Sequence, residues 1–172
     1  MYDFHRLMHD LTHEVDAGRL ADSEASAKVA AYIQRELRCA HVTFWDVFGE
    51  VGQRKMRRGV AYDGATRTVV TNAVELAEAG GGYFDCLLKT GCYVSGDTFA
   101  DPKLAGVRDA VLIPYNIHSL LSASYGINGK TMGILTCTDS VRREWQPMEV
   151  TALRRCAAEI SRQRARRADP VA

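Results

Sequence analysis

The sequence predicts an α+β domain in which an antiparallel sheet has terminal helices on one face and an irregular lid on the other. Three observations predict this architecture. Two hairpin signals indicate antiparallel strand pairs, and amphipathic helices lie near both ends of the chain. A loop-rich stretch over residues 66–118 separates the two hairpins. The 172 residues suit one domain with its own hydrophobic core.

Two helices are predicted before the first strand. In residues 2–17, apolar side chains recur at spacings of three and four, and Gly18 ends the helix. A second helix is predicted over about residues 23–38, with Asp22 or Ser23 as its N-terminal cap.

Two hairpins are predicted to form most of the sheet. His41–Phe48 and residues 54–62 are joined by a short turn that contains two glycines. We expect Met56, Val60 and Tyr62 to share one face of the second strand. Residues 119–125 and 131–138 flank Asn128-Gly129, which is a strong turn signal.

The middle of the chain is predicted to form the lid, because it is irregular and rich in glycine. Its predicted elements are a segment at 66–71 that either extends the preceding strand or adds a new one, a helical turn at 73–79, a glycine break at 80–82, a short helix at 83–89, a strand at Cys92–Ser95 and loops over 96–118.

The last helix is predicted to begin near Pro147, because proline suits the first helical position. Its apolar residues repeat at spacings of three, four and three, which is typical of a seam that meets a partner helix. The residues of this seam are Val150, Leu153, Ala157 and Ile160.

Composition excludes several classes of function. The net charge of +1 does not favour a nucleic-acid or membrane partner. The five cysteines are odd in number and form no CxxC pair, so we expect reduced thiols in the cytoplasm. Neither a membrane-spanning apolar run nor the apolar core of a secretory signal is present.

Three stretches in the second half resemble the GAF domain family. The first combines residues 83–88 (YFDCLL) and 92–97 (CYVSGD), and resembles the family's lid helix, strand and acidic turn. The second combines Asp101-Pro102 with residues 117–121 (IHSLL), which are similar to the family's entry into a central strand. The third combines residues 129–135 (GKTMGIL) with Trp145 and Glu149, similar to the family's last strand and closing helix.

The resemblance, over roughly residues 23–165, implies a GAF-like six-stranded antiparallel sheet between terminal helices and a lid of short helix and loops. It also implies a sensory or regulatory domain that is no enzyme, and a homodimer built on the terminal helices. The organisation expected is then an N-terminal helix over 1–20 as a dimer contact, a GAF domain over 21–167 and a tail over 168–172. No kinase, cyclase or DNA-binding segment follows, so we expect action on a signalling partner in trans or a fragment of a longer chain.

The resemblance further implies an unidentified small-molecule ligand between sheet and lid. The strand pattern, with its register assumed, predicts an apolar wall with a few polar anchors. The ligand-binding residues predicted in this way are Phe44, Phe84, Cys92, Val94, Tyr115, Ser119, Leu121 and Ser122. The cofactor is not identified: bilin-binding relatives attach their chromophore through a cysteine, often followed by histidine, and the sequence has no Cys-His pair.

Several alternatives stay open. His5, His9 and His13 share a helix face and are either a metal site or a solvated stripe. His118 is either a ligand contact or a hydrogen-bonded surface residue, and Asp97 and Asp101 either hold a ligand amine or cap short helices. Cys86 and Cys92 raise the alternative of a thiol-dependent reductase of the free methionine sulfoxide reductase kind, and a non-binding dimerisation module is the third reading.

Overall fold

The computed structural model describes residues 2–50, 52–70, 72–78 and 82–168. Two helices come first: α1 covers Tyr2–Asp16 and α2 covers Asp22–Leu37. The second helix begins one residue earlier than predicted. Ala21 is its cap residue rather than Asp22 or Ser23, and the Ala21 backbone N–H donates to the Glu24 carboxylate at 3.0 Å.

Antiparallel strands form one sheet in the order β3-β2-β1-β7-β6-β5, and β4 also pairs with β2. The predicted antiparallel α+β fold is therefore confirmed. The bounds of its strands are β1 His41–Phe48, β2 Lys55–Asp63, β3 Thr68–Val70, β4 Glu75–Ala77, β5 Cys92–Ser95, β6 Ser119–Ile127 and β7 Lys130–Asp139. Asn128 and Gly129 both take positive φ in the β6–β7 turn, as the Asn-Gly signal predicts.

The short strand β4 at Glu75–Ala77 replaces the helical turn that was predicted over residues 73–79, of which residue 79 lies outside the described part of the chain. Glu75 pairs with Arg57 on β2, and its carboxylate lies 3.1 Å from the Lys55 ammonium group. Pairing with the free edge of β2 satisfies the backbone groups of this segment, so tertiary contacts override the local helix preference of alanine, glutamate and leucine. Of the predicted glycine break, residues 80 and 81 lie outside the described part of the chain.

The lid consists of α3 at Tyr83–Thr90 and a run of short turns. These turns are a 3-10 turn at Pro102–Leu104, the single turn α4 at Ala105–Val107 and a π-helical turn at Arg108–Leu112. The last helix, α5, covers Pro147–Ala168. Residues 169–172 of the predicted tail lie outside the described residues. No described helix is long and apolar enough to cross a membrane.

Each face of the sheet has its own buried cluster. The helix-side core joins α1, α2 and α5 to the sheet and includes Phe4, Ile33, Phe44, Leu121, Leu135 and Leu153. The lid-side cluster joins the lid to the other face and includes Trp45, Met56, Phe84, Leu104, Leu112 and Leu120.

The predicted seam of α5 is used within the chain itself. Leu153, Ala157 and Ile160 are buried in the helix-side core, and α5 packs on β6. Leu153, Ala157 and Ile160 are therefore not available to a partner helix. The amphipathic pattern of a helix does not distinguish a sheet from a second chain.

An irregularity in β2 changes which residues face the lid. Thr43 pairs with Ala61 while Trp45 pairs with Arg58, so β2 carries one extra residue between these positions. Such a bulge exchanges the two faces of a strand. Met56 accordingly joins the lid-side cluster, whereas Val60 and Tyr62 pack on the helix-side core, and the expectation that all three share a face is wrong.

Candidate functional site

A cavity of about 120 Å³ lies between the sheet and the lid. Strands β1, β2, β6 and β7 form its floor, and the turns after β5 form its roof. The described residues that line it are His41, Thr43, Trp45, Met56, Arg58, Ala61, Val70, Leu76, Tyr83, Leu104, Val107, Val111, Leu112, Tyr115, Ile117, Leu120, Thr136 and Thr138. Apolar walls with a few polar groups are typical of small-molecule sites.

Three residues of the floor, Thr43, Trp45 and Thr136, are linked by hydrogen bonds. The indole N–H of Trp45 donates to the Thr136 hydroxyl at 3.1 Å, and this hydroxyl lies 3.4 Å from the Thr43 carbonyl oxygen, to which it donates. These bonds fix the orientation of the Trp45 ring, because a buried indole N–H needs an acceptor. The ring is therefore held as a rigid wall of the cavity.

Tyr83 connects the lid helix to the sheet. Its hydroxyl lies 3.0 Å from the Ser122 hydroxyl, and both side chains are buried. Burial raises the pKa of Tyr83 to about 12, so the phenol stays protonated at neutral pH. A neutral Tyr83–Ser122 hydrogen bond therefore ties α3 to β6.

Asp101 holds the roof of the cavity in place. Its carboxylate accepts from the Lys103 backbone N–H at 3.0 Å and from the Tyr93 hydroxyl at 2.7 Å. Burial raises the pKa of Tyr93 well above its ordinary value, and the bond to Asp101 raises it further. Asp97 similarly accepts from the Ala100 N–H and pairs with Arg142. Asp101 therefore caps a short helical turn, as one of the two predicted readings states, whereas Asp97 braces a non-helical turn.

Arg58 and Tyr115 form one end of the cavity. The Arg58 Nη2 group donates to the Asn72 carbonyl oxygen, and its guanidinium carbon lies 5.2 Å from the centre of the Tyr115 ring. Its Nε is buried without a hydrogen-bond partner among the described residues. His41 forms another part of the wall, with Nε2 3.7 Å from the Asp63 carboxylate.

Of the eight predicted ligand-binding residues, the structure places Tyr115 in the lining of the cavity. Ser122 and Phe84 lie behind it, one bonded to Tyr83 and the other in the lid-side cluster. Whether any of the eight binds a ligand stays a prediction.

The other five predicted residues lie elsewhere. Phe44 and Leu121 belong to the helix-side core, and Cys92 packs against it. Ser119 is fully buried but outside the lining, and Val94 is 45% exposed. The assumed register is out by one residue at Phe44 and Leu121, and a shift of one residue moves a side chain to the opposite face.

The lining residues that the sequence did not single out include Trp45, Met56, Arg58 and Leu112. A usable signal exists in β1, because His41, Thr43 and Trp45 alternate with the fully apolar Val42 and Phe44. In β2 the bulge removes any such signal, and the lid residues have no periodicity to follow.

The histidine candidates have separate partners. His5 Nδ1 lies 3.1 Å from Glu159, His9 lies 3.5 Å from Asp10, and His13 lies 3.8 Å from Glu14. Within the described residues, no three potential ligands form a metal-binding group. His118 Nε2 lies 3.0 Å from the Asn116 side-chain oxygen and its ring meets the edge of Phe99, so it is placed beside the lid and outside the cavity lining.

Burial lowers the reactivity of three of the five cysteines. Burial raises the pKa of Cys92 and raises that of Cys156 to about 12. It also holds the pKa of Cys137 well above its ordinary value. Since the thiolate is the nucleophile, these groups are less reactive than free cysteine. All five cysteines are described, and none lines the cavity.

Comparisons with known proteins agree with this architecture. The family model described as GAF domain matches residues 23–163. No curated protein matches the chain.

Solved structures of photoreceptors share the fold at low identity. A far-red cyanobacteriochrome photoreceptor is 15% identical with a TM-score of 0.69, over 92% of this chain and 94% of that one. The PixJ GAF domain of Thermosynechococcus elongatus, in its blue-light absorbing form, is 15% identical with a TM-score of 0.61, over 80% and 82% of the two chains. The bacteriophytochrome RpBphP3 from R. palustris is 10% identical with a TM-score of 0.67; 95% of this chain aligns, but only 38% of the bacteriophytochrome is spanned.

Proposed function

Because the chain belongs to the GAF domain family, we propose that it is a sensory or regulatory domain that binds a small molecule between sheet and lid. The observation that carries the proposal is the cavity of about 120 Å³, with its mixed apolar and polar lining. A π-helical turn at Arg108–Leu112 contributes Val111 and Leu112 to this lining. π-helical turns are rare in proteins, and many of those that occur lie at functional sites.

The proposed mechanism is a shift between lid conformations. The lid contacts the sheet through the Tyr83–Ser122 bond and through apolar side chains at its inner surface. A ligand that binds the closed lid more tightly than the open lid increases the closed population. Strand β6 is a direct physical link to the helices, because Ser122 faces the lid while Leu121 and Ala123 pack in the helix-side core.

We propose that α5 receives the change. The backbone N–H of Gly126, near the end of β6, donates to the Ser161 hydroxyl on α5 at 3.0 Å. A displacement of β6 is therefore transmitted to α5 through both packing and a hydrogen bond. The output acts on a signalling partner in trans, or on further segments where the chain is part of a longer protein.

A homodimer on the helical layer is part of the proposal. An open groove between α1, α2 and α5 is lined by Phe4, Tyr32, Leu37 and Met148, and Met148 is 84% exposed. This groove is an apolar surface on which a second chain can pack. The α5 seam cannot serve this purpose, because its residues pack within the chain. Light scattering of the purified chain tests this part: a mass of two chains supports it, and a single chain at high concentration contradicts it.

We propose binding rather than thiol catalysis, at a site in the cytoplasm. The thiol alternative has little support because burial raises the pKa of Cys92 and no cysteine lines the cavity. For the same reason we propose a ligand held without a covalent bond to cysteine. Reduction of free methionine sulfoxide that disappears on replacing Cys86 and Cys92 by serine would restore the enzyme alternative.

The experiment that tests the proposed function combines native mass spectrometry with a cavity-filling variant. Val107 lies in the lid wall, so Val107→Phe places a phenyl ring in the space available to a ligand. We expect wild-type protein, purified without denaturation, to carry a small molecule or to gain thermal stability from one member of a metabolite library. Val107→Phe should lose this response while remaining folded.

The matched control is Val141→Phe, because Val141 is exposed outside the lid. This variant should keep the wild-type response. No bound molecule and no stabilisation by the library would support the non-binding dimerisation module instead. A response that survives in Val107→Phe would place the ligand elsewhere and contradict the site.

A further inference from the structure

The charge of the cavity is uneven. Among the described residues that line it, Arg58 is the one side chain with a permanent charge, and none is an aspartate or glutamate. A guanidinium group beside apolar walls is unfavourable unless an acceptor or a counterion accompanies it.

The structure gives the Arg58 guanidinium neutral neighbours. Its Nη2 group donates to the Asn72 carbonyl oxygen, and its central carbon lies over the Tyr115 ring, 5.2 Å from the ring centre. The Nε–H is buried and has no acceptor in the described part of the chain. Arg58, which lines the cavity, therefore carries one strong hydrogen-bond donor that the described residues leave unsatisfied.

Neighbouring carboxylates are engaged elsewhere. Glu75, which pairs across the sheet with Arg57, forms ion pairs with Lys55 at 3.1 Å and Arg57 at 3.5 Å. Asp63 accepts from the Ala65 and Thr66 backbone N–H groups and lies 3.7 Å from His41. Neither carboxylate forms an ion pair with Arg58.

The backbone holds Arg58 at this position. The residue pairs with Trp45 on β1, and its N–H donates to the Val74 carbonyl oxygen at 2.8 Å. The bulge in β2 begins directly after it, so Arg58 and Ala61 both line the cavity. The backbone of Arg58 is therefore fixed at the edge of the cavity by the sheet.

We infer that the ligand is a small, mostly apolar organic acid whose carboxylate accepts hydrogen bonds from Arg58. This inference rests on the proposed function, since it names the chemical class that the cavity binds. Arginine matches the planar carboxylate with donors in a fixed fork, and a charge-assisted bond is stronger than a neutral one. Trp45, Leu76 and Leu112 supply the apolar walls for the rest of the molecule.

A carboxylate fits this site better than a phosphate ester. The described lining offers one permanent cation, which balances the single charge of a carboxylate. A second negative charge would have to be desolvated against apolar walls without a partner. The site therefore favours a monoanion.

The test compares acids with amides of the same shape by titration calorimetry. The probes are benzoate, phenylacetate and indole-3-carboxylate, each with its neutral amide, on wild-type protein and on Arg58→Gln. We expect at least one acid to bind wild type and its amide to bind about tenfold or more weakly. Arg58→Gln should weaken the acid by about tenfold or more and leave the amide unchanged, and Arg58→Lys should restore part of the affinity.

Arg57→Gln is the matched control, because Arg57 adjoins Arg58 on β2 but pairs with Glu75 at the surface. It should bind the acids like wild type. Should Arg58→Gln fail to fold, the acid–amide difference in wild type and the Arg58→Lys affinity decide the question.

Two results would overturn the inference while the proposed function stands. One is equal binding of acids and amides, with no dependence on Arg58. The other is a neutral molecule released from the native protein that Val107→Phe no longer holds. By contrast, a protein that binds neither set and carries no small molecule would overturn the inference and the proposed function together.

Discussion

The two faces of the central sheet are built from different kinds of residue. The helix-side core is formed by aliphatic and aromatic side chains from α1, α2, α5 and the sheet. The lid-side cluster is interrupted by threonines, an arginine and tyrosine hydroxyls, and it leaves a cavity of about 120 Å³. The difference separates two tasks, because a tightly packed face stabilises the fold while an incompletely filled face leaves room for a ligand.

The comparison also extends to how each face is attached. Regular helices with continuous apolar stripes cover the helix side, whereas short turns and a few hydrogen bonds hold the lid. Regions with few regular hydrogen bonds open at lower free energy than the packed core. We therefore expect mutations on the two faces to separate stability from binding.

The largest expected effect on stability is in the helix-side core. Leu153 on α5 is fully buried, so Leu153→Ala should lower the free energy of unfolding by about 3 kcal/mol through lost burial and a new cavity. Leu104→Ala, at the wall of the existing cavity, should cost less, because part of its surface already lacks close neighbours. Urea denaturation of both variants measures the difference, and an equal loss would contradict the distinction between the faces.

A smaller effect is expected at Glu159, which attaches α1 to α5. This buried carboxylate accepts from Gln163 at 2.8 Å, lies 3.1 Å from His5 and contacts Arg162. Burial raises its pKa, but the hydrogen bonds from Gln163 and His5 and the charge of Arg162 outweigh this and hold the pKa below its ordinary value. Replacing it by glutamine should cost about 2 kcal/mol at pH 7, because bonds to a charged group are lost.

The pH dependence of this effect has a definite sign. A carboxylate with a lowered pKa in the folded state stabilises it above the unfolded pKa of about 4.3, and this stabilisation is lost as pH falls through the folded pKa. Glu159→Gln should therefore reduce the loss of stability in acid, measured as the unfolding free energy from pH 7 to pH 3. Glu144→Gln, an exposed position, is the control and should retain the wild-type pH profile.

The smallest expected effect sharpens the comparison at the lid. Tyr83→Phe removes the bond to Ser122 and leaves a buried hydroxyl, at a cost of about 1 kcal/mol. Adding Ser122→Ala should recover part of this loss, because both polar groups are then absent. Thermal unfolding of the four proteins in this cycle gives the coupling, and strictly additive losses would show that the bond does not tie the lid to the sheet.

Local patterns predicted the fold well where they were periodic. Strand His41–Phe48, the helix that begins at Pro147 and the Asn128-Gly129 turn all follow from residue spacing and turn chemistry. The prediction failed at residues 73–79, where the decisive factor is the free edge of β2 and not the local sequence.

The candidate site was harder to predict than the fold. Tyr115 was found because it lies in the irregular lid, but Phe44 and Leu121 were placed on the wrong face. Strand β1 carries apolar residues on both faces, and only the alternation of His41 and Thr43 with Val42 and Phe44 indicates which face meets the lid. Arg58 could not be identified as a site residue from the sequence, because its role depends on which groups surround it in the folded chain.

The sequence by itself determined the elements outside residues 73–79, their antiparallel arrangement and the resemblance to the GAF family, since these depend on spacing and turn residues along the chain. The tertiary structure alone decided which side chains line the cavity and that Arg58 lacks a carboxylate partner among the described residues. The physical reason is that a bulge of one residue exchanges the faces of β2, and that counterions come from strands distant in sequence. The periodicity of residues along the chain predicts neither the bulge in β2 nor the distance between Arg58 and the carboxylates.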